Sequence, residues 1–490
     1  HVEAGLLNNV VFGSLSDHRL VNSNVDGTLR PDPSRTVWDA NQISPREREW
    51  FEDAIRINEA YGEIDTFLGD VRAGRMDNHW GLGMHANDGD CADCDYGDHV
   101  DRIRFQTKPF DIYVSAAIDF PDQGETSQSP LRVDGQPYDL TQIDDARQYT
   151  FEVFRSAQTE KELKLQEQRL KEDRLPVFNG GARFTYRSQK GVFNRSADGS
   201  SFAESPGQTS PDTPELIYRG LNLDVPDVWF QFRYEPDPTT KIRVELEGIG
   251  IFGDVDNATN NPVGQATDGE DPINCFDDAT RDANPERCST TTDANGNEIS
   301  SSKGISELGL ALESEFYLGG PVRFGLNAGY ASGGDSPNWG YRAANGNDLD
   351  FFRFDPNYHV DLILFREVIG TVTNAMYANP FVQARFFESP DQRMEVQLDA
   401  IASAVANPSG APHGENRGLG VELDGAVRYL QIGRFEAGIE GGVLFPLGAL
   451  DAQLGRPRLT QPIGTPEEEF GGEADASIAW TVQGNLNWTF

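Results

Sequence analysis

The sequence predicts an all-β protein: a single transmembrane antiparallel up-and-down β-barrel of about 16 strands with long external loops. Three observations carry this reading. Apolar and polar residues alternate with a period of two over many long segments, which puts successive side chains on opposite faces of a strand. The connectors between those segments alternate short and long. Arg, Glu and Asp sit on the polar face of almost every segment, so the wet face is too charged to pack against a core.

Composition agrees. The chain has 490 residues, of which 37% are hydrophobic. That is a thin supply for a water-soluble core of this length. It suffices for a barrel, which spends only every second strand residue on lipid. No run of about 18 apolar residues exists, so no helix spans a membrane. The formal net charge is −38, from 79 acidic and 41 basic residues. Such a surface repels phosphate and excludes nucleic acid as a partner. His1 opens the chain without signal-peptide features, so the chain reads as mature.

In order, strands are expected near 2–12, 50–64, 69–79, 99–107, 109–120, 144–157, 176–190, 223–235, 240–253, 303–317, 321–334, 379–389, 392–405, 416–430, 433–446 and 471–490. In the fifth, Phe110, Ile112, Val114, Ile118 and Phe120 alternate with Asp111, Ser115 and Asp119. In the ninth, Ile242, Val244 and Leu246 alternate with Lys241, Arg243, Glu245 and Glu247. In the fourteenth, Leu419, Val421, Leu423, Val427 and Tyr429 alternate with Glu422, Asp424 and Arg428. The last carries Trp480, Val482, Gly484, Leu486 and Trp488 against Thr481, Gln483, Asn485 and Asn487. Short turns such as TFLGD, EPDPTT, LGGP, SPDQ and QIGR join alternate pairs. Long polar stretches near 13–49, 80–98, 121–143, 191–220, 255–302 and 335–378 join the others.

An even strand count puts both termini on the side of the short turns, the periplasmic side of an outer-membrane barrel. The apolar stretch 359–377 stays inside the loop 335–378, because counting it as strands would break the alternation. It is expected to fold into the barrel mouth. One short-side connector, 157–175, is rich in Lys, Glu, Gln and Leu without Gly or Pro. It reads as a helical periplasmic turn, either solvated or a handle for a partner.

If the polar faces look inward, Arg183, Arg187, Arg233, Arg243, Arg323, Arg393, Arg428 and Arg434 line the pore. So do Glu245, Glu247, Glu307, Glu313, Glu395, Asp399, Glu422, Asp424, Glu436 and Glu440. A lumen of this width is too wide for side chains to fill, and both signs of charge across it would discriminate small polar solutes.

The densest candidate for a metal is the loop with Asp88, Asp90, Asp93, Asp95, Asp98 and Asp101. Hard carboxylate oxygens with glycines to bend the chain suit Ca²⁺, although the spacing is not that of an EF-hand. A solvated acidic loop and a zinc site through Cys91 and Cys94 are the other readings. Cys91 and Cys94, with Cys275 and Cys288, fall in two local pairs and read as disulfides of an oxidising compartment. No cofactor is required, and no nucleophile elbow, HExxH, P-loop or dinucleotide motif points to an enzyme.

The terminal strand with Trp488 and the final Phe490, and the hairpin INEAYGEIDTFLGDVRAGRMDNHWGLGM at 57–84, resemble those of Gram-negative outer-membrane porins. The acidic, disulfide-bearing loops look like barrels of delta-proteobacterial type. The resemblance implies that Phe490 is the membrane-insertion signal read by the barrel-insertion machinery, and that 335–378 is the counterpart of a constriction loop. It implies outer-membrane lipid as the surroundings and leaves a homo-oligomer or a surface partner open. The expected function is passive diffusion of small polar solutes. The competing expectation is a structural barrel whose acidic, Ca-binding loops bind a partner or a neighbouring barrel.

Overall fold

The computed structural model describes residues 1–6, 55–91, 94, 97–120, 146–193, 216–256, 278–284, 290–292, 298–300, 302–335, 349–387, 389, 391–431, 434–454 and 472–488. Sixteen strands follow one another round a single sheet, each hydrogen-bonded to its sequence neighbour. They are β1 (Val2–Leu6), β2 (Ile55–Thr66), β3 (Gly69–Asp77), β4 (His99–Thr107), β5 (Tyr113–Phe120), β6 (Arg147–Arg155), β7 (Val177–Phe193) and β8 (Leu216–Asp237). The second half comprises β9 (Thr240–Val255), β10 (Lys303–Leu318), β11 (Val322–Ala331), β12 (Ala375–Phe386), β13 (Gln392–Val405), β14 (Gly418–Gln431), β15 (Phe435–Pro446) and β16 (Ala479–Trp488). Two minor hairpins, Thr290–Thr292 with Glu298–Ser300 and Ala452–Leu454 with Gly472–Ala474, decorate long loops.

Every pairing is antiparallel, as an up-and-down barrel demands. The hydrophobic alternation then fixes which face turns outward. On β6, Gln148, Thr150, Glu152 and Phe154 are buried, whereas Tyr149, Phe151 and Val153 are exposed. The same outward row continues round the wall through Phe184, Phe230, Leu246, Leu310, Phe324, Val382, Leu398, Leu423, Ile439 and Val482. So large a continuous apolar surface is incompatible with water and is the exterior of a barrel in lipid. Between neighbouring strands the backbone polar groups are used by the ladder, which is how a barrel can span a membrane.

Several details depart from the periodicity. β12 starts at Ala375 rather than 379, and residues 109–111 form a 3₁₀ turn before β5. Leu419 was expected to face lipid. A register shift, Ser403 opposite Gly420 and Ala404 opposite Gly418, makes a bulge that turns Leu419 inward, where it is fully buried. The 157–175 connector holds helix α1 (Glu160–Lys171), capped by the Thr159 hydroxyl accepting the Glu162 N–H. It carries Glu160 and Glu162 in its first turn and Arg169 and Lys171 in its last, which suits the helix dipole.

Candidate functional site

The barrel interior is not an empty tube. Two segments fold into it from the long-loop end: the start of the β3–β4 connector, 78–91, and the end of the β11–β12 connector, 349–374. Phe351, Phe352, Phe354, Leu364, Phe365, Ile369 and Val372 of the second are buried, and they pack with Met84 of the first. Wall residues from Val225 on β8 round to Leu444 on β15 complete this apolar cluster. Trp80 and Ala86 extend the packing to Tyr113, Phe154 and Trp229. The plug thus rests on the wall from β5 to β15. Apolar packing inside a polar tube holds only because the wall itself turns apolar at this level, with Ile249, Ala311, Ala331, Ile401 and Leu419.

Two wall glutamates pin the plug. Glu247 accepts the Leu82 N–H at 2.5 Å. The turn around it uses Gly81 at φ +61 and Gly83 at φ +76, and a Cβ at Gly81 would fall on the Glu247 carboxylate. On the far wall Glu422 accepts the N–H groups of Leu362 at 3.1 Å and Leu364 at 2.9 Å. Asp361 caps the following π-helical turn (Leu364–Ile369) by accepting from Phe365 at 2.9 Å.

The rest of the lumen is polar. Arg102 makes a two-pronged pair with Asp119 at 2.7 and 3.0 Å. Gln148 and Thr150 also donate to Asp119. Arg183 donates to Asn78 at 2.6 Å, and Arg187 to Gln148. Nearer the short turns, Arg243 bonds Glu245, Glu313 and Glu315. Arg323 bonds Glu315, Arg385 and Arg393 bond Glu395, and Arg428 bonds Glu440.

Two like-charge juxtapositions stand out against these pairs. Arg72 lies directly opposite Arg104 across β3–β4, and Asp399 directly opposite Asp424 across β13–β14. Opposed like charges destabilise a sheet unless they serve something else. Arg72 has Glu63 at 2.5 Å, but the Arg104 Nε has no hydrogen-bond partner. Asp399 accepts from Gln397 and Asn379 rather than from a cation. In a 16-stranded order β4 and β13 lie on opposite walls. Each wall thus carries one like-charge juxtaposition among its ion pairs, basic on the first and acidic on the second.

The residues expected to line the pore distribute as follows. Arg183, Arg187, Arg233, Arg243, Arg323, Arg393 and Arg428 lie on the inward parity of their strands, as do the ten acids from Glu245 to Glu440. Arg434 is the correction: it sits exposed in the β14–β15 turn, off the wall, because the strand ends at Gln431. Glu247 and Glu422 hold the plug rather than face open lumen. Sequence parity missed Arg102, Arg104, Asp119 and Asp227, although each lies on the inward face of its strand and the alternation of Arg102, Arg104 and Gln106 with Ile103 and Phe105 carries the signal.

The acidic loop does not gather into one cluster among its described members. Asp88 meets His79 at 3.2 Å, and Asp98 accepts the Asn87 N–H. Asp90 donates its N–H to Asp88. Asp101 pairs with Arg75 on the outer face at 2.9 Å. Cys91 and Cys94 form a disulfide. Asp93, Asp95, Cys275, Cys288 and Phe490 lie outside the described residues. His85, deep in the plug, is pushed down to about 3 by burial and by Arg187 and Arg183, so its imidazole stays neutral.

At the short-turn end α1 lies against the lumen-facing side of the wall rather than out in solvent. Glu162 accepts from Lys108 and from the Tyr113 hydroxyl at 2.9 Å, and Gln166 donates to Asn179 at 2.9 Å. Leu170 is fully buried. Burial would raise the Glu162 carboxyl, but the Lys108, Gln158 and Tyr113 hydrogen bonds outweigh it and hold the group at about 2.

Among solved structures, the chain is similar to the outer-membrane expressed OmpT of Vibrio cholerae, at 8% identity and a TM-score of 0.31, over 74% of this chain and 76% of that one. It is similar to a Pseudomonas aeruginosa FadL homologue at 11% identity and a TM-score of 0.26, over 82% and 79%. For the copper transporter OprC the values are 11% and 0.27, over 85% and 67%. No family model matches the chain, and no curated protein does. Likeness at this level carries no argument about cargo.

Proposed function

We propose that the protein is an outer-membrane channel for small polar solutes, with both termini in the periplasm. The observation that supports it best is the separation of charge across the lumen, Arg72 and Arg104 on one wall and Asp399 and Asp424 on the other. Among these groups the Arg104 Nε and the Asp424 Oδ1 have no hydrogen-bond partner in the wall. A transverse field in a low-dielectric tube orients water and polar solutes and slows apolar ones. The plug occupies the side from β5 to β15, so the passage runs beside it. It lies along β16, where Gln483, Asn485 and Asn487 face inward as uncharged hydrogen-bonding groups.

Phe490 is proposed as the residue read by the insertion machinery. The acidic loops, with Ca²⁺ among their proposed ligands, are proposed as a soluble rim. No observation favours a surface-binding role over conduction, since Asp88, Asp98 and Asp101 each engage protein partners.

The test is single-channel conductance in planar bilayers, on the wild type and on a variant lacking 349–374. Stepwise current in the wild type that grows in the deletion variant is expected. Silence from both, with folded barrels confirmed by gel mobility, refutes the channel.

A further inference from the structure

Both in-folded segments are pinned by the same arrangement of side chains. On β8–β9 the Glu247 carboxyl, which takes the Leu82 N–H, also meets the carboxyl of Asp227. On β14 the Glu422 carboxyl, which takes the Leu362 and Leu364 N–H groups, meets that of Asp424. In each case the second acid keeps an oxygen with no hydrogen-bond partner, Asp227 Oδ1 and Asp424 Oδ1, and so does Glu247 at Oε1. Asp227 is 4% exposed, Glu247 0% and Glu422 1%.

An ionised carboxylate only accepts. Two of them in contact, fully buried at the first site and with Asp424 half-buried at the second, repel each other and leave acceptors orphaned. One proton between them removes both defects at once: one acid donates, and the pair keeps a single negative charge for the loop N–H groups. A metal ion answers the first site poorly. Arg183 already faces Asp227 as its cation. Among the described residues no group of three potential ligands gathers round a metal.

We propose that each pair binds one shared proton, and that these two protons hold the plug in the lumen. When a proton leaves, two adjoining anions remain under the loop, and the segment they pin is released. Arg183, Trp80, His85 and Tyr358 face the first pair, with Glu245 next along the wall. Asp361, with Arg366 beside it, and Asp399, with Arg428 beside it, face the second. The arginines keep their charge at any working pH. His85 stays neutral. Asp361 and Asp399 add negative charge round Asp424.

The sign follows from linkage. The closed lumen holds the protons and the open one gives them up, so the open-to-closed ratio rises with pH, by up to about tenfold per pH unit for each proton. This consequence for flow rests on the channel reading. The protons themselves do not, and they can be read without current.

The experiment uses the full chain folded in lipid vesicles at neutral pH. Infrared difference spectra between wild type and Asp227→Asn, and between wild type and Asp424→Asn, should each show the loss of a protonated-carboxyl stretch. Glu247→Gln gives the same readout should Asp227→Asn fold poorly. Spectra in which that band is unchanged overturn the proposal. Asparagine donates to its glutamate and cannot lose that donor to base. Hydrogen exchange at 80–86 and 361–365, corrected for intrinsic rates, should therefore accelerate with pH in the wild type but not in the double Asp227→Asn/Asp424→Asn variant. Equal pH profiles in the two overturn it as well. A barrel that passes no current would leave both measurements readable, so the channel and the proton latch fail separately.

Discussion

Phe352→Ala tests whether the plug is a packed part of the barrel or a loop that merely rests in it. The Phe352 ring is 0% exposed and lies over the backbone of Gly309 on β10, where a Cβ would overlap it. Phe354 stands edge-on at 5.7 Å and His85 at 6.1 Å. The Gly309 side of this pocket belongs to the sheet and cannot collapse into the space, so the truncation should cost about 3–5 kcal/mol, the usual range for a buried aromatic. The cost falls on plug docking, because the ladder of β10 is untouched. At about 1.4 kcal/mol per decade, the undocked population should rise by roughly a hundred- to several-thousand-fold. The assay is single-channel recording, with gel mobility to show that the barrel itself is intact. Longer or more frequent openings are expected. A folded variant with wild-type dwell times would refute the idea that packing at Gly309 keeps the lumen narrow.

Three further outcomes follow from the same geometry. Gly81→Val places a β-branched residue at φ +61 against the Glu247 carboxylate, and should free the 78–86 segment, seen as faster amide exchange there with the strands unchanged. Lys108→Met should detach α1 from the short-turn rim by about 1 kcal/mol, measured by proteolysis between 156 and 176. Because the Glu162 pKa is depressed, its contribution is complete above its ordinary value of 4.5 and is lost as pH falls toward about 2, so wild-type α1 should loosen only in strong acid. Leu398→Arg, on the lipid face at the middle of β13, should destabilise the barrel by about 2–4 kcal/mol in urea titrations in vesicles, whereas Leu398→Met should be near neutral.

Alternation made the wall legible. β4 and β13 run over the spans their patterns mark, 99–107 and 392–405, because a strand whose two sides meet different solvents must keep strict parity. The same parity placed the arginines and acids of the lumen, and it extends to Arg102 and Arg104, which repeat the pattern two residues apart. It broke where the chain adds a residue: the bulge at Gly418–Gly420 inverts Leu419, and the two glycines are its local mark. Arg434 was misplaced for a related reason, since where a strand stops depends on its partner.

What the sequence determined by itself is the wall: an even number of strands, which face meets lipid, and which end carries the long loops. These follow from period-two chemistry between neighbours along the chain. What only the tertiary structure decided is the inside. Glu247 and Leu82, or Glu422 and Leu364, are separated by 165 and 58 positions, and nothing local links them. Asp399 faces Asp424 only because of the register in which two strands meet. The wall is written in nearest-neighbour periodicity. The plug, its carboxyl latches and the sign of the field depend on distant residues brought to one height in the barrel, which the register and the folding-in of two loops settle together.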